Sequence, residues 1–590
     1  MLNQELAKMF SEISLYLEMD NVPFKPQAYE KAAVALESLN EDVKDIYQKG
    51  GREAIENIPG VGKSIADKII EYIETGKIKY YEDYKKKMPV NIEELISVEG
   101  VGPKTVKVLW EKLKIKNLED LEKAARDHKI RELFGFDEKS EQNILQGIEF
   151  LKRDKGRFLL GEILPRAKEI ENLLKSLKEV EQISVAGSVR RRRETIGDLD
   201  FLVTVKNSKE AKNSAEKIMD FFVSMPGVIK IWGKGATRSS VRFKEGIDCD
   251  LRVVAKKSYG SALQYFTGSK EHNIVTRTLA IKKGLKLNEY GVFKGRKMIA
   301  GWSEEGVYRV IGLPWIEPEL RENRGEIEAA LRQAQGKQPG LPKIIGYRDI
   351  KGDLHCHSKW DGGANSIEEM AEEAIKMGYE YIGISDHTKF LRIEHGLDEQ
   401  KLTEERKEID ELNFRLQNLN FKILQGCEAN ILPDGSIDIK DEALAKLDYV
   451  IAGVHSAFKM PKEKMTERII KAMKNPNIDI ISHPTGRILK KRDEYEIDFD
   501  KLLKVAKETG TILEINSWPE RLDLNDINIK KAKETGVKMI IDTDSHQKDQ
   551  MRFIELGISQ ARRGWATIED IVNVHSLEKF LGSLKRNKKR

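Results

Sequence analysis

Apolar side chains recur at helical spacing from Met1 to about residue 155, and the stretch reads as all-helical. Met1 to Met19 is an amphipathic helix that carries acids. From about residue 156 to 333 the pattern changes. Gln182–Val189, Leu199–Val205, Ser239–Phe243 and Ile247–Val254 read as strands with helical patterns between them, an α+β arrangement. Gln335 to Pro342 has the composition of a linker. From Ile350 onward short apolar runs alternate with helices of roughly 10 to 15 residues, the signature of βαβ units. Strands are predicted at 353–358, 381–387, 422–430, 449–456, 478–484, 512–517 and 538–545. A seven-stranded β/α barrel follows, with its site at the strand C-termini.

Two near-repeats stand in the helical part. Ile58-Pro59-Gly60-Val61-Gly62-Lys63 is echoed by Val98-Glu99-Gly100-Val101-Gly102-Pro103-Lys104, and a degenerate third copy starts at Phe134-Gly135-Phe136. The glycines allow a tight turn, and free amides at the start of the next helix suit a phosphate. One copy would equally fit a plain helix C-cap before another helix. Two copies with matching glycines and lysines favour DNA binding. The boundaries expected are a helical domain at 1–85, a second at 86–155, an α+β domain at 156–258, a further subdomain at 259–333, a linker at 334–349, the barrel at 350–582 and a basic tail at 583–590.

Composition adds limits. A chain of 590 residues with 40% apolar content holds several real cores. Net charge of only +5 says little about nucleic acid, so local clusters matter more, notably Arg190 to Arg193. The tail Lys585 to Arg590 reads as a solvated end. Cys249, Cys356 and Cys427 form neither a disulfide framework nor a zinc spacing, which fits a reducing cytoplasm. No apolar run spans a membrane, and no signal-peptide pattern opens the chain.

Six of ten histidines sit at predicted strand ends: His355, His357, His387, His455, His483 and His546. Glu428 and Asp544 occupy equivalent places. Any one of these is more often an ordinary core or surface residue. Together they make a multi-metal site, and so hydrolytic chemistry. A second centre lies upstream. Asp198 and Asp200 project from one face of a strand, and Asp250 can join them from another. Such carboxylates suit two metal ions and in-line attack of a hydroxyl on a phosphate. Gly187 and Ser188 lie where amides can hold a triphosphate, and arginine adds bidentate contacts. Asp248 shares the face of Asp250 and is the less favoured ligand.

At this point the first 320 or so residues resemble a family X DNA polymerase, the group that includes DNA polymerase beta. The match extends over Tyr265-Phe266-Thr267-Gly268-Ser269, Asn273, Arg277, Leu287 to Gly291 and Ile311 to Arg321. The resemblance implies that Asp198, Asp200 and Asp250 bind two Mg²⁺ and that Asp250 helps activate the primer 3′-hydroxyl. It implies triphosphate contacts from Gly187, Ser188 and Arg191. Tyr265, Phe266 and Gly268 would line the sugar pocket, Asn273 would touch the incoming base and Arg277 the template. The near-repeats resemble helix-hairpin-helix motifs, which grip DNA backbone through Gly60, Gly62, Gly100, Gly102 and Lys104. The N-terminal part is similar to the lyase domain of the same family. Lys68 falls at the Schiff-base lysine, with Lys25 and Lys31 near phosphate-contacting positions; the bland alternative for Lys68 is a surface lysine on a DNA-gripping helix.

Gly352 to about Gly582 resembles a PHP (polymerase and histidinol phosphatase) domain. By that resemblance the strand-end residues bind up to three Mn²⁺ or Zn²⁺ ions. Family members often read Ser-Asp-Gly after the second histidine, and that Asp is a ligand. Here Asp361 stands one place early, in Lys359-Trp360-Asp361-Gly362, and reaches a metal only if the loop shifts.

The expected protein is a cytoplasmic, monomeric gap-filling repair polymerase. Its partners would be gapped or nicked DNA, 3′ primer ends and deoxynucleoside triphosphates, with no membrane. The PHP part would trim 3′ ends as a 3′→5′ exonuclease; cutting at abasic sites and removal of 3′-phosphates remain open. Two alternatives stand beside this reading. One is a template-independent nucleotidyltransferase. The other is a DNA-end-binding polymerase whose PHP part is inert.

Overall fold

The computed structural model describes residues 2–587, except 38, 40–41, 59, 99, 154–155, 207–210 and 392–394. Pro59 and Glu99 of the repeats and Lys588 to Arg590 of the tail therefore lie outside the described residues. Two compact units emerge, one of residues 1–155 with 490–492 and one of the remainder.

Up to Arg153 the described residues of the first unit form helices joined by turns and short loops. Leu6, Phe10, Ile13 and Leu17 are fully or almost fully buried on one face of the helix Leu2–Met19. Each contributes roughly 2 kcal/mol by leaving water. They join a core that runs through Ile65 and Ile69 to Leu95, Val106, Leu109 and Ile148, so both repeats hang on one interior.

The second unit opens on a five-stranded sheet ordered Val180–Val185, Asp198–Val205, Asp248–Val253, Arg238–Phe243 and Val228–Lys234. The central pair, Asp198–Val205 and Asp248–Val253, is parallel; the other pairs are antiparallel. Leu199, Phe201 and Val203 are buried and pack with Val241, Cys249 and Leu251. The first expected strand, Gln182–Val189, stops at Val185. There the chain turns into the one-turn helix Gly187–Arg190, because Gly187 takes φ 59°. Sequence reading missed the edge strand Val228–Lys234. It is exposed from Ile229 onward and so lacks a buried alternation. A subdomain of helices and a small antiparallel sheet, 286–300, follows.

The barrel strands are Gly352–Cys356, Tyr381–Ile384, Lys422–Gln425, Glu428–Asn430, Ile451–Gly453, Ile480–Ile481, Ile512–Asn516 and Met539–Asp542. All neighbours are parallel. The single run expected at 422–430 breaks at Gly426-Cys427, which divides the ring into sheets of three and five strands. Bridges His387↔Glu428 and Cys356↔Ser545 close it. Alternate strand residues serve two cores. Ile382, Ile481, Leu513 and Ile541 pack outward with helix residues such as Met370 and Ile409. Tyr381, Ile480, Ile512 and Ile540 pack with each other and with Phe580 from the last helix.

The tail expected to be solvated is docked in part. Lys585 Nζ donates to the Met473 carbonyl at 2.7 Å, and Arg586 Nε donates to Asp479 at 2.7 Å. Buried acceptors at the barrel floor outweigh the tail's basic character.

Sheet domain and barrel share interior. Leu522 and Leu556, both from the barrel, belong to the core beneath the five-stranded sheet. Ion pairs with buried arginines flank that contact: Arg487–Glu194 at 2.7 Å, Arg562–Glu319 at 2.7 Å and Arg563–Glu322 at 3.0 Å. The stretch after Ala334 has no helix or strand before Gly352, yet Ile345 is fully buried and bonds to the Ala566 carbonyl.

Candidate active sites

Asp198 and Asp200 alternate with buried Leu199 and Phe201, so both carboxylates leave the opposite face. The parallel neighbour sets Asp250 beside Asp200 and Asp248 beside Asp198. Asp248 is engaged elsewhere: Arg242 donates to both its oxygens at 2.8 Å, and Trp232 Nε1 adds a third bond at 2.8 Å. Asp250 accepts from Ser240 Oγ at 2.5 Å and Arg238 Nη2 at 2.8 Å. Burial, then the charges of Asp198 and Asp250, push Asp200 up to about 7. Burial and the Asp250 charge also raise Asp198. These carboxylates lack enough cationic partners, a donor set that fits divalent cations.

A cleft of about 870 Å³ opens over them. Gly187, Ser188, Arg191, Tyr265, Phe266, Gly268, Asn273 and Arg277 all line it. The Ser188 hydroxyl is buried without a hydrogen-bond partner. Gly187 has no room for a side chain, since a Cβ there would stand 2.5 Å from Asp200 Oδ2. Tyr265 and Phe266 meet edge to face at 5.0 Å, under the guanidinium groups of Arg277 and Arg252 respectively. Asn273 bonds to the Tyr265 carbonyl at 2.7 Å.

In the helical unit, Gly60 (φ 81°) and Gly100 (φ 85°) turn the chain. Gly62 and Gly102 then cap the helices Lys63–Thr75 and Pro103–Leu113 without any side-chain bond. Those helix starts, with Lys104, are exposed. The degenerate third copy differs. Gly135 also has positive φ, but the Asp137 carboxylate accepts from the Ser140 amide at 2.7 Å and occupies the helix start. Lys25 and Lys31 are exposed. Lys68 Nζ lies 5.1 Å from the Tyr80 ring centre and 5.8 Å from that of Tyr29. Burial, with a contribution from Lys25, lowers its pKa.

In the barrel, Glu428 is the hub. Its Oε1 meets His483 Nε2 at 2.9 Å and His455 Nε2 at 3.2 Å; its Oε2 meets His387 Nε2 at 3.1 Å and His355 Nε2 at 3.5 Å. Asp544 Oδ1 lies 3.4 Å from His357 Nε2 and 3.7 Å from His355 Nε2. The His546 ring stacks on His357 at 4.1 Å. His355 Nε2 and His357 Nε2 are buried and carry no hydrogen bond, which fits nitrogens reserved for metal. His357, His387 and His546 form one potential metal group, His355, His357 and Asp544 a second, and His387, Glu428 and His455 a third. Burial lowers His546 to about 4 and His483 to about 3, whereas the carboxylates around His355, His357 and His387 outweigh burial and raise all three, so metal binding there displaces protons.

Asp361 sits behind this convergence. Its Oδ2 is 2.7 Å from His357 Nδ1 and from His387 Nδ1, the ring faces away from Glu428 and Asp544. In this arrangement it is placed to orient two histidines, and with His357 and Asp386 it also forms a fourth potential metal group, which is compatible with the ligand role expected from the family motif. A carboxylate that no motif singled out does the same for His355: Glu514 Oε1 lies 2.5 Å from His355 Nδ1, and its Oε2 accepts from the His483 amide at 2.6 Å. The available signal was a lone acid inside the apolar run Ile512-Leu513-Glu514-Ile515. Arg521, 3.5 Å from Asp544 Oδ2, brings a positive charge to the rim; its sequence context carries no comparable signal.

Family models match five segments of the chain. They are a helix-hairpin-helix domain at 1–78, a SAM-like helix-hairpin-helix tandem at 92–149, a DNA polymerase beta palm at 161–227, a DNA polymerase beta thumb at 262–322 and a PHP domain at 353–518. The DNA polymerase/3′-5′ exonuclease PolX of Bacillus subtilis (strain 168) is 37% identical over 590 residues, 99% of either chain. The chain belongs to the PolX family. A probable phosphatase of Thermoanaerobacter sp. (strain X514) is 34% identical over 250 residues, which are 40% of this chain and 95% of that one. A probable phosphatase of Caldicellulosiruptor saccharolyticus is 33% identical over 243 residues, with 40% and 95% covered. PolX membership accounts for the order helix-hairpin-helix, palm, thumb, barrel. It also implies divalent metals and DNA as a binding partner. Among the described residues no helix is long and apolar enough to cross a membrane.

Proposed function

We propose that the protein is a DNA-directed DNA polymerase for gap-filling repair, with a 3′→5′ exonuclease in its barrel. The observation that carries the polymerase half is the Asp198, Asp200 and Asp250 cluster beneath a cleft whose Ser188 hydroxyl awaits a partner. On this reading the three aspartates hold two Mg²⁺, while Ser188 and Arg191 receive the triphosphate. Tyr265, Phe266, Gly268 and Asn273 shape the sugar and base pocket, and Arg277 faces the template. Gly60, Gly62, Gly100, Gly102, Lys104, Lys25 and Lys31 hold the DNA backbone. In the barrel, His355, His357, His387, Glu428, His455, His483, Asp544 and His546 hold up to three Mn²⁺ or Zn²⁺ ions. Asp361 and Glu514 orient their histidines, and Arg521 offsets phosphate charge. When bound, the cations in either site neutralise phosphate charge and activate the attacking oxygen. Deoxynucleoside triphosphates as substrates, a monomeric state and a cytoplasmic location belong to the same proposal.

A primer-extension and degradation assay on gapped DNA, comparing Mg²⁺ with Mn²⁺, tests it. Asp198→Ala with Asp200→Ala should abolish nucleotide addition and leave Mn²⁺-dependent trimming. His355→Ala with His357→Ala should do the reverse. Trimming that survives the histidine changes would refute the nuclease assignment, and with it favour an inert barrel.

Lys68 supports a further activity, removal of 5′-deoxyribose phosphate. Its amine, lowered by burial and set against two tyrosine rings, suits attack on a sugar aldehyde. Borohydride should trap the parent protein on that substrate and fail with Lys68→Ala. Absence of any adduct with the parent protein excludes the activity.

A further inference from the structure

Arg563 ends the barrel helix Ile554–Arg563, and its side chain is 1% exposed. Its Nη1 donates to the Arg191 carbonyl at 2.8 Å and to Glu322 Oε1 at 3.0 Å. Its Nη2 donates to Asp526 Oδ2 at 2.5 Å, and Arg324 Nη1 meets the same oxygen at 2.9 Å. Glu322 Oε1 accepts in turn from Arg191 Nε at 3.1 Å, while Arg191 Nη1 donates to the Thr267 carbonyl. Arg191 and Glu322 line the nucleotide cleft; Arg563 is not among the lining residues.

We propose that Arg563, a residue of the barrel, positions Arg191 for nucleotide addition in the palm. The proposal rests on the reading of Arg191 as a triphosphate contact. Two physical effects support it. The first concerns the backbone. Arg191 caps the one-turn helix Gly187–Arg190, and the next residue, Arg192, holds φ 55° without being glycine. Such a conformation persists only where neighbours enforce it, and Arg563 pins the carbonyl that precedes it. The second concerns the side chain. Glu322 has Arg191 at 3.1 Å and Arg193 at 3.8 Å as further cationic neighbours. Arg563 shares the oxygen that Arg191 uses. Without Arg563, Glu322 is left to close on Arg191 as a full ion pair and to compete with the triphosphate for that guanidinium. Arg563 thus keeps Arg191 in place yet only partly neutralised.

The test uses full-length protein and single-nucleotide insertion on gapped DNA, with Mn²⁺-dependent trimming as a second readout. Arg191→Ala, Arg563→Met and the double variant are compared. Arg563→Met should raise KM for the nucleotide roughly five- to tenfold with a smaller change in kcat, and leave trimming intact. In the Arg191→Ala background the Arg563 change should add nothing beyond about twofold, as expected of residues acting through one contact. An unchanged KM in a variant that still trims overturns the proposal, as do effects that multiply in the double variant. If Arg563→Met does not fold, Arg563→Gln, which keeps hydrogen-bond donors but removes the cation between Glu322 and Asp526, decides by the same criteria. If Arg191→Ala itself leaves KM unchanged, the triphosphate reading of Arg191 falls and takes the proposal with it. If Arg191→Ala raises KM and Arg563 has no effect, the proposal alone falls.

Discussion

At the scale of single residues, the palm is a place where charge is stored against its preference. Asp200 is raised to about 7 from an ordinary value of 3.8, first by burial and then by Asp198 and Asp250. A carboxyl raised on folding binds its proton more tightly in the native state. It therefore costs stability as pH climbs from its unfolded value toward about 7. Asp200→Asn cannot ionise and escapes that cost. In EDTA the melting temperature of Asp200→Asn should exceed that of the parent little near pH 4, increasingly up to about pH 7, and by a constant amount above it. Added Mg²⁺ should restore the parent at high pH. A difference that does not vary with pH would contradict this account. The candidate metal-binding residues were the most legible in the sequence, because His355, His387, Asp198 and their neighbours stand at strand ends or alternate along one face. Their supports were less so. Asp361 and Glu514 reach their histidines through ring orientation, which no spacing rule encodes.

At the scale of elements, legibility followed burial. The strands Asp198–Val205 and Asp248–Val253 were found within a residue or two because their inward residues are apolar. The edge strand Val228–Lys234 was not, because solvent on its surface removes the alternation that marks a strand. The barrel's sequence pattern had no way to show that 422–430 is two strands. Gly426 sits where a Cβ would collide with the Tyr449 ring at 2.3 Å, and the ladder breaks at that close approach. The repeats show the opposite case. The glycines of both helix-hairpin-helix copies turn the chain as their spacing implied, and the degenerate third copy turns at Gly135 within the matched tandem, with the difference that Asp137 puts a negative charge at its helix start.

At the scale of the whole molecule, palm and barrel belong to one compact unit. Leu522 and Leu556 complete the palm's core, and Arg487, Arg562 and Arg563 answer Glu194, Glu319 and Glu322. A chain cut after residue 349 loses all of these at once. What remains exposes apolar surface and loses an arginine partner at each of Glu194, Glu319 and Glu322, a destabilising combination. The truncated protein should be insoluble or melt at least about 10 °C below the full chain by calorimetry. A palm that melts within a few degrees of the parent would show that the shared core is dispensable. The linker composition of Gln335 to Pro342 gave no hint of this coupling, because the residues that make it come from loops and a helix far along the chain.

That shared core has a further consequence, for what proteolysis can do. The exposed stretch Gln335 to Pro339 is an open target for a protease. A nick there severs the chain but not the buried contacts, so the fragments stay clasped. The activity that erases DNA ends is thereby never set loose from the one that writes them.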